Sequence, residues 1–194
     1  TTGCAFGLGS LLGFLAATMG GWVDQVLSRF VDVVISIPTL IFALIVLSST
    51  GTSIFALVTV IAIIYAMPVY RIARAVAMDI EVMDYVEAAR LRGEGLWWIM
   101  RKEILPNALT PLAAEFGLRF CFVFLLISGL SFLGLGLQPP LADWGAMVRD
   151  NGGGIAWGFM HPLVPATCIA LLTIGINLIV DSVVQKASGL REDH

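Results

Sequence analysis

Two groups of residues in this chain have types and spacings that could do chemistry. Glu115 and Arg119 lie four residues apart in an otherwise apolar stretch. That is the Glu-before-Arg order that favours an ion pair along one helix face. Charges in such surroundings either face a permeation path or a partner subunit, or form a couple that snorkels towards the membrane surface. Glu87-Ala88-Ala89, Gly93 and Ile104-Leu105-Pro106 punctuate the most basic segment of the chain. Neither group is equipped for catalysis. No nucleophile stands beside a base, and no GxxxxGK[ST] phosphate loop occurs. Cys4, Cys121 and Cys168 are far apart in apolar stretches, and His161 and His194 are isolated. That spacing predicts no metal site. The chemistry on offer is recognition and passage rather than bond-making, so the chain is not expected to be an enzyme.

The elements that must position these residues are set by composition. The chain has 194 residues, 58% of them hydrophobic and 13% charged, with a mean hydropathy of +0.93. A typical soluble domain carries about 25% charged residues. So apolar a chain needs the bilayer as solvent. The net charge of −3 gives no reason to expect a nucleic-acid partner. Thr1–Val23 carries no charge, and Val33–Tyr70 is a second uncharged run, 38 residues long. The turn-forming cluster Ser48-Ser49-Thr50-Gly51-Thr52-Ser53 divides that run into two short spans. Further spans are expected over Leu109–Leu137 and Pro162–Val184. The runs are continuous rather than alternating, which favours helices over a barrel. The expected fold is an all-α integral membrane bundle of about five transmembrane helices, with residues 1–194 as a single transmembrane domain. Between the first two spans, Val23, Val26, Leu27, Phe30, Val33 and Val34 share one helical face. Asp24, Ser28, Arg29 and Asp32 share the other. This predicts an amphipathic elbow at the membrane surface.

Orientation follows from the basic residues. Six of the eleven, Arg71, Arg74, Arg90, Arg92, Arg101 and Lys102, lie in one loop, which the positive-inside rule assigns to the cytoplasm. Lys186 and Arg191 assign the C-terminus there as well. The Gln138–His161 loop, with Arg149 against Asp143 and Asp150, is then outside, as is Thr1. A subunit with a cytoplasmic N-terminus would need one more span upstream.

The cytoplasmic loop, residues 81–106, is long for a connector and is organised. Asp84 and Glu87 have the spacing of an acidic helix cap. Glu87–Arg92 continues with helix formers, and Gly93 and Gly95 are expected to stop the helix through positive φ. Leu96–Ile104 is expected to form a second short helix, ended by Leu105-Pro106. Ala88 and Ala89 are small enough to admit a close neighbour. Such a loop either packs on its own bundle or docks on a cytoplasmic partner.

The pattern Glu87-Ala88-Ala89, Gly93, Ile104-Leu105-Pro106 resembles the EAA loop of ABC importer permeases. Tyr85-Val86 and Asn107-Ala108-Leu109 flank it in the manner of the dipeptide/oligopeptide/nickel branch. Gly20-Gly21-Trp22-Val23-Asp24 through Ile37-Pro38 is similar to that branch. So is Leu130-Ser131-Phe132-Leu133-Gly134-Leu135-Gly136-Leu137-Gln138-Pro139-Pro140, followed by Trp144-Gly145. The likeness covers essentially the whole chain and is greatest to the second, or C-type, permease of a heterodimeric pair. It implies a multi-pass subunit of the bacterial cytoplasmic (inner) membrane. It also implies a second permease, two ATP-binding subunits, an extracytoplasmic substrate-binding protein and surrounding lipid as partners. ATP and Mg would be used by the ATP-binding subunits, with no cofactor bound by this chain. Glu87, Ala88, Ala89, Gly93, Ile104, Leu105 and Pro106 would couple to the ATP-binding subunit. Glu115 and Arg119 would face the pathway or the partner permease.

The sequence departs from the branch in two places. Val180 stands where a Gly usually precedes Asp181, and Ala187-Ser188 replaces a usual Asp-Pro. The cargo implied is a dipeptide or oligopeptide, with nickel chelates, glutathione or sugar conjugates as alternatives. An ion-coupled secondary transporter is the rival of a different class. It would need a carboxylate at mid-membrane, for which Glu115 and Asp181 are available, both expected nearer span ends.

Overall fold

The computed structural model describes residues 1–187, which are mostly helical, with no strands among them. Arg191, Ser188 and His194 lie outside the described residues. The elements run α1 (Thr2–Met19), α2 (Gly21–Ile35), α3 (Thr39–Thr50), α4 (Ile54–Glu81), α5 (Asp84–Leu91), α6 (Leu96–Ile99), α7 (Leu105–Phe132), α8 (Trp144–Asn151) and α9 (Leu163–Ala187). Four continuous helical stretches are long and apolar enough to cross a membrane: Thr2–Met19, Ile54–Glu81, Leu96–Phe132 and Leu163–Val183. Helices α2 and α3 make a fifth only when counted together, as one pair bent by 86° at the break between them. The expected hairpin of two short spans is therefore uneven. The 12 residues of α3 cover about 18 Å, whereas a hydrocarbon core is about 30 Å thick. The polar cluster does make the turn before α4, where the Ser53 hydroxyl caps the helix by accepting from Ala56 N at 3.1 Å.

The pairing of α1 with α4 is close because α1 offers glycines rather than side chains. A Cβ at Gly9 would stand 2.6 Å from the Ala66 carbonyl. One at Gly13 would stand 2.8 Å from Tyr70 O and Arg74 N. Helices in lipid gain by van der Waals contact, and small residues four apart let the backbones approach. Gly9→Ala and Gly13→Ala are each expected to lower stability in detergent by about 1–3 kcal/mol, the usual cost of overpacking. Gly3→Ala and Gly7→Ala, which face open space, are the controls. A thermal melt in which all four variants match would disprove this account of the contact.

Two expectations are corrected. Pro106 does not end a helix. It sits in the first turn of α7, and a π-helical stretch, Met100–Ile104, joins α6 to α7 without a break. A proline ring clashes with the carbonyl four residues back and offers no N–H. The wider turn, with Leu105 N donating to Met100 O, relieves that constraint just before the ring. The elbow α2 is also not divided simply into apolar and polar faces. Val31 is buried, and Leu27 and Val34 pack beside it on Ala16 and Met67. Val26, Phe30 and Val33 are exposed, as is Trp22. Asp24 and Ser28 turn into the bundle, where bonds to α4 satisfy them.

At the far end of the sequence, Val180 meets a gap it can fill. Its methyls lie against Gly117 of α7, where a Cβ would collide with them. The branched side chain at a position the resembled family gives to glycine is thus matched by a glycine across the α7–α9 interface.

Candidate functional site

The Gly93 turn is built as its sequence requires. Helix α5 ends in a paired set of backbone bonds, Gly93 N to Arg90 O at 2.9 Å and Glu94 N to Ala89 O at 3.2 Å. This is the Schellman arrangement, which needs a left-handed residue after the cap. Gly93 supplies it with φ of +80°. Gly95 does not share this role. Its φ is −75°, an ordinary extended conformation, and it precedes α6. The helix start also differs from expectation. Met83 is the N-cap and Asp84 the first helical residue, with no side-chain cap bond. Asp84 and Glu87 instead act on the helix dipole from the first turn.

The loop both packs on its own bundle and presents a free face. Val86, Ala89, Ile99, Met100, Ile104 and Ala108 are buried in one cluster with Phe14 and Ala17 of α1 and with Ala73, Ala77 and Ile80 of α4. The smallness of Ala89 thus serves the chain's own core, and Ile104, wholly buried, anchors the loop. Glu87, Ala88, Leu105 and Pro106 face outwards. Beside them Val82 and Leu91 are 81% and 83% exposed and Trp97 62%. These three side chains, one before α5, one at its end and one in α6, make the α5–α6 turn a knob with exposed apolar surface. Ion pairs stiffen its edges: Arg90 with Glu81, and Arg92 with Glu103 at 4.0 Å. The Arg92 guanidinium also lies 5.9 Å from the Trp98 ring.

Glu115 and Arg119 form the expected ion pair within α7. Arg119 uses Nε for it, and its guanidinium lies 5.8 Å from the Phe122 ring. It also lines a cavity of about 120 Å³ together with Ile35, Ile37 and Thr39 at the α2–α3 bend and Tyr65 and Pro68 of α4. Tyr65 donates to Phe122 O at 3.0 Å, which fixes the level of this region. Tyr65 is about 17 Å along α4 from Ile54. Glu115 is seven residues before Phe122, about 10 Å nearer the start of α7, and Arg119 is three residues before it. Asp181 is in α9, away from this cavity.

Sequence reading missed a second charged site. Both the Nε and Nη2 of Arg74 donate to the two carboxylate oxygens of Asp24. Ser28 donates to the same carboxylate at 3.3 Å and lies 2.9 Å from the Tyr70 hydroxyl. The signal was available: Asp24 and Ser28 are one turn apart, as are Tyr70 and Arg74.

Comparison with known proteins identifies the family and the fold. Residues 9–187 match the family described as binding-protein-dependent transport system inner membrane component. The chain is similar to the "Probable D,D-dipeptide transport system permease protein DdpC" of Escherichia coli (strain K12), at 34% identity over 91% of this chain and 59% of that protein. It is similar to the glutathione transport system permease protein GsiD of Pectobacterium atrosepticum, at 30% identity over 90% of this chain and 58% of that one. It is also 34% identical to the di/tripeptide transport system permease protein DppC of Pseudomonas aeruginosa, over 89% and 57%. It thus spans under three-fifths of the length of each of these relatives. Among solved structures, an amino acid ABC transporter crystallised with histidines shares the fold. The TM-score is 0.64 at 23% identity, over 95% of this chain and 88% of that one.

Proposed function

We propose, given that the chain belongs to the family of binding-protein-dependent transport system inner membrane components, that it is a permease subunit of an ATP-driven peptide importer. The observation that carries this reading is the α5–α6 knob. It is rooted in the core by Val86, Ala89 and Ile104, turned at Gly93, and exposes Val82, Leu91 and Trp97 among charged side chains on its free face. Glu87, Ala88, Leu105 and Pro106 line that face or its root and would touch an ATP-binding subunit. Ala89, Gly93 and Ile104 would hold the knob in shape behind them. A second permease would pair with this chain, two ATP-binding subunits would supply hydrolysis with ATP and Mg, and an extracytoplasmic binding protein would deliver cargo.

The basic residues around the knob orient it to the cytoplasm, in a bacterial inner membrane, with the C-terminus on the same side. Residues 1–187 act as one transmembrane unit within which the loop over 81–106 is the coupling element. ATP-driven closure of the partner subunits would shift this element between two states and open the permease pair alternately to each side. Arg119 and Glu115, beside the cavity at the α2–α3 bend, would face the path that cargo takes.

A dipeptide or longer peptide is the cargo that the printed functions of the similar proteins favour. The likeness to a glutathione permease supports a γ-glutamyl peptide as the second reading.

The test is reconstitution of the four kinds of subunit in proteoliposomes. This chain alone should hydrolyse no ATP. The complete assembly should hydrolyse it and take up a radiolabelled dipeptide only with ATP and binding protein present. Uptake driven by a proton gradient without ATP would overturn the proposal.

A further inference from the structure

The inward face of α2 carries two polar groups where an apolar pair would pack more simply. Asp24 and Ser28 meet Tyr70 and Arg74 across the α2–α4 contact, each pair one helical turn apart. The fork from Arg74 occupies both carboxylate oxygens of Asp24. The one proton of Ser28 goes to that carboxylate, so the hydroxyl of Tyr70 donates to Ser28. All four groups form one directed chain. Tyr70 is 1% exposed, and the charges are partly exposed. An ion pair in that setting adds little to stability by itself. Its bidentate geometry nevertheless fixes register and direction more strictly than the neighbouring contacts of Leu27, Val31 and Val34.

What the chain of bonds connects gives it a role. Helix α4 passes into α5 through Val82 and Met83 alone, and Met83 N is bonded back to Ile80 O at 3.0 Å. A displacement of the knob is therefore carried into α4 without a flexible linker. On its other side the chain holds α2, which ends at the 86° bend before α3. Ile35, Ile37 and Thr39 at that bend line the cavity of Arg119.

We propose that Asp24, Ser28, Tyr70 and Arg74 form a clamp that makes α2 move with the knob and α4, so that ATP-driven docking reshapes the α2–α3 bend beside Arg119. Asp24 and Arg74 are positioning residues: they touch neither cargo nor nucleotide but decide whether hydrolysis is converted into passage. The inference rests on the permease reading above. It commits to one element with two positions, biased from the cytoplasmic side, as a claim of coupling requires.

The experiment uses the complete transporter with Cys4, Cys121 and Cys168 replaced by alanine. Spin labels are placed at Arg29→Cys on α2 and Met78→Cys on α4, and distances are compared without nucleotide and after trapping with ATP and vanadate. With the clamp intact, one narrow distance distribution should persist in both states. Asp24→Asn and Arg74→Gln should each let it broaden or shift on trapping, and dipeptide uptake per ATP hydrolysed should fall about tenfold, the effect of an ordinary coupling energy. The exchange Asp24→Arg with Arg74→Asp should recover most of both readouts.

A distance that shifts in the unaltered assembly overturns the clamp. So do single variants that keep the fixed distance and the coupling ratio while only lowering the amount of complex. Should the charge variants fail to assemble, Ser28→Ala decides, since it keeps both charges. A smaller fall in uptake per ATP supports the clamp, and an unchanged ratio overturns it. An assembly that neither traps nor hydrolyses ATP counts against the permease reading rather than against the clamp.

Discussion

Gly93→Val in the complete transporter is expected to abolish cargo-stimulated ATP hydrolysis and transport while leaving membrane insertion and permease pairing intact. The cause is backbone conformation rather than crowding. A Cβ at Gly93 would meet nothing within 4 Å, but φ is +80°. A left-handed conformation costs an L-residue about 1–2 kcal/mol, and a β-branched one tolerates it least. Valine will escape by leaving that region. Doing so breaks the bonds to Arg90 O and Ala89 O together, and the path from α5 to α6 is redirected. The knob then no longer offers Leu91 and Trp97 as one surface. The spans do not depend on this turn, so the damage is confined to docking.

The explanation makes a graded demand. Gly93→Asn should retain most activity, Gly93→Ala less and Gly93→Val least, because asparagine accepts the left-handed region best of the three. Coupling is read as hydrolysis stimulated by loaded binding protein, and docking as co-purification of the ATP-binding subunits. Equal activity of the Asn and Val variants would remove φ as the cause, and normal transport by Gly93→Val would remove the knob as the coupling element. Gly51→Val, at a turn with φ of +86° between α3 and α4, is the control that should leave coupling intact. Glu87→Ala should act weakly, through loss of a surface contact, because Glu87 makes no cap bond.

Arg119→Met is expected to damage the protein more than Arg119→Met combined with Glu115→Gln. The single change leaves a carboxylate in an apolar span without its ion-pair partner. Breaking such a pair from one side costs several kcal/mol when both groups are buried. With these side chains 20% and 15% exposed, about 2 kcal/mol is the expected scale. The double change removes both charges and with them the desolvation problem, so thermal stability of the purified complex should largely return. Transport should not return, if Arg119 handles cargo beside its cavity. A double variant as unstable as the sum of the singles would mean that the two charges do not act as a pair. One that is stable and transports normally would confine the pair to a structural role.

Several features could be read from residue order alone because their causes are local or compositional. The apolar runs demanded a bilayer, and their continuity demanded helices. The left-handed turn at Gly93 was legible because a helix former run, a glycine and a second apolar run leave the backbone few other solutions. The Glu115–Arg119 pair was legible because its partners share one helix face. The family followed from spaced residues that occur together across the whole chain.

Other features were decided only when helices met. Ala88 and Ala89 look alike in sequence, yet one is exposed and the other wholly buried, because burial depends on where α1 and α4 lie. Leu105-Pro106 reads as a stop, but the π-helical turn before it carries the helix through. Gly9 and Gly13 carry no side-chain signal, and their role appears only against the backbone of α4. Asp24 and Arg74 are 50 residues apart and read separately as a surface charge and a topology marker. Their union depends on the direction α2 takes after α1, which is set by packing against a distant helix. Periodicity along one chain records which face of a helix is apolar. It does not record which neighbour that face will meet, and in a membrane an apolar face is as stable against lipid as against protein. For this chain, the tertiary contacts alone decided which faces turned inwards.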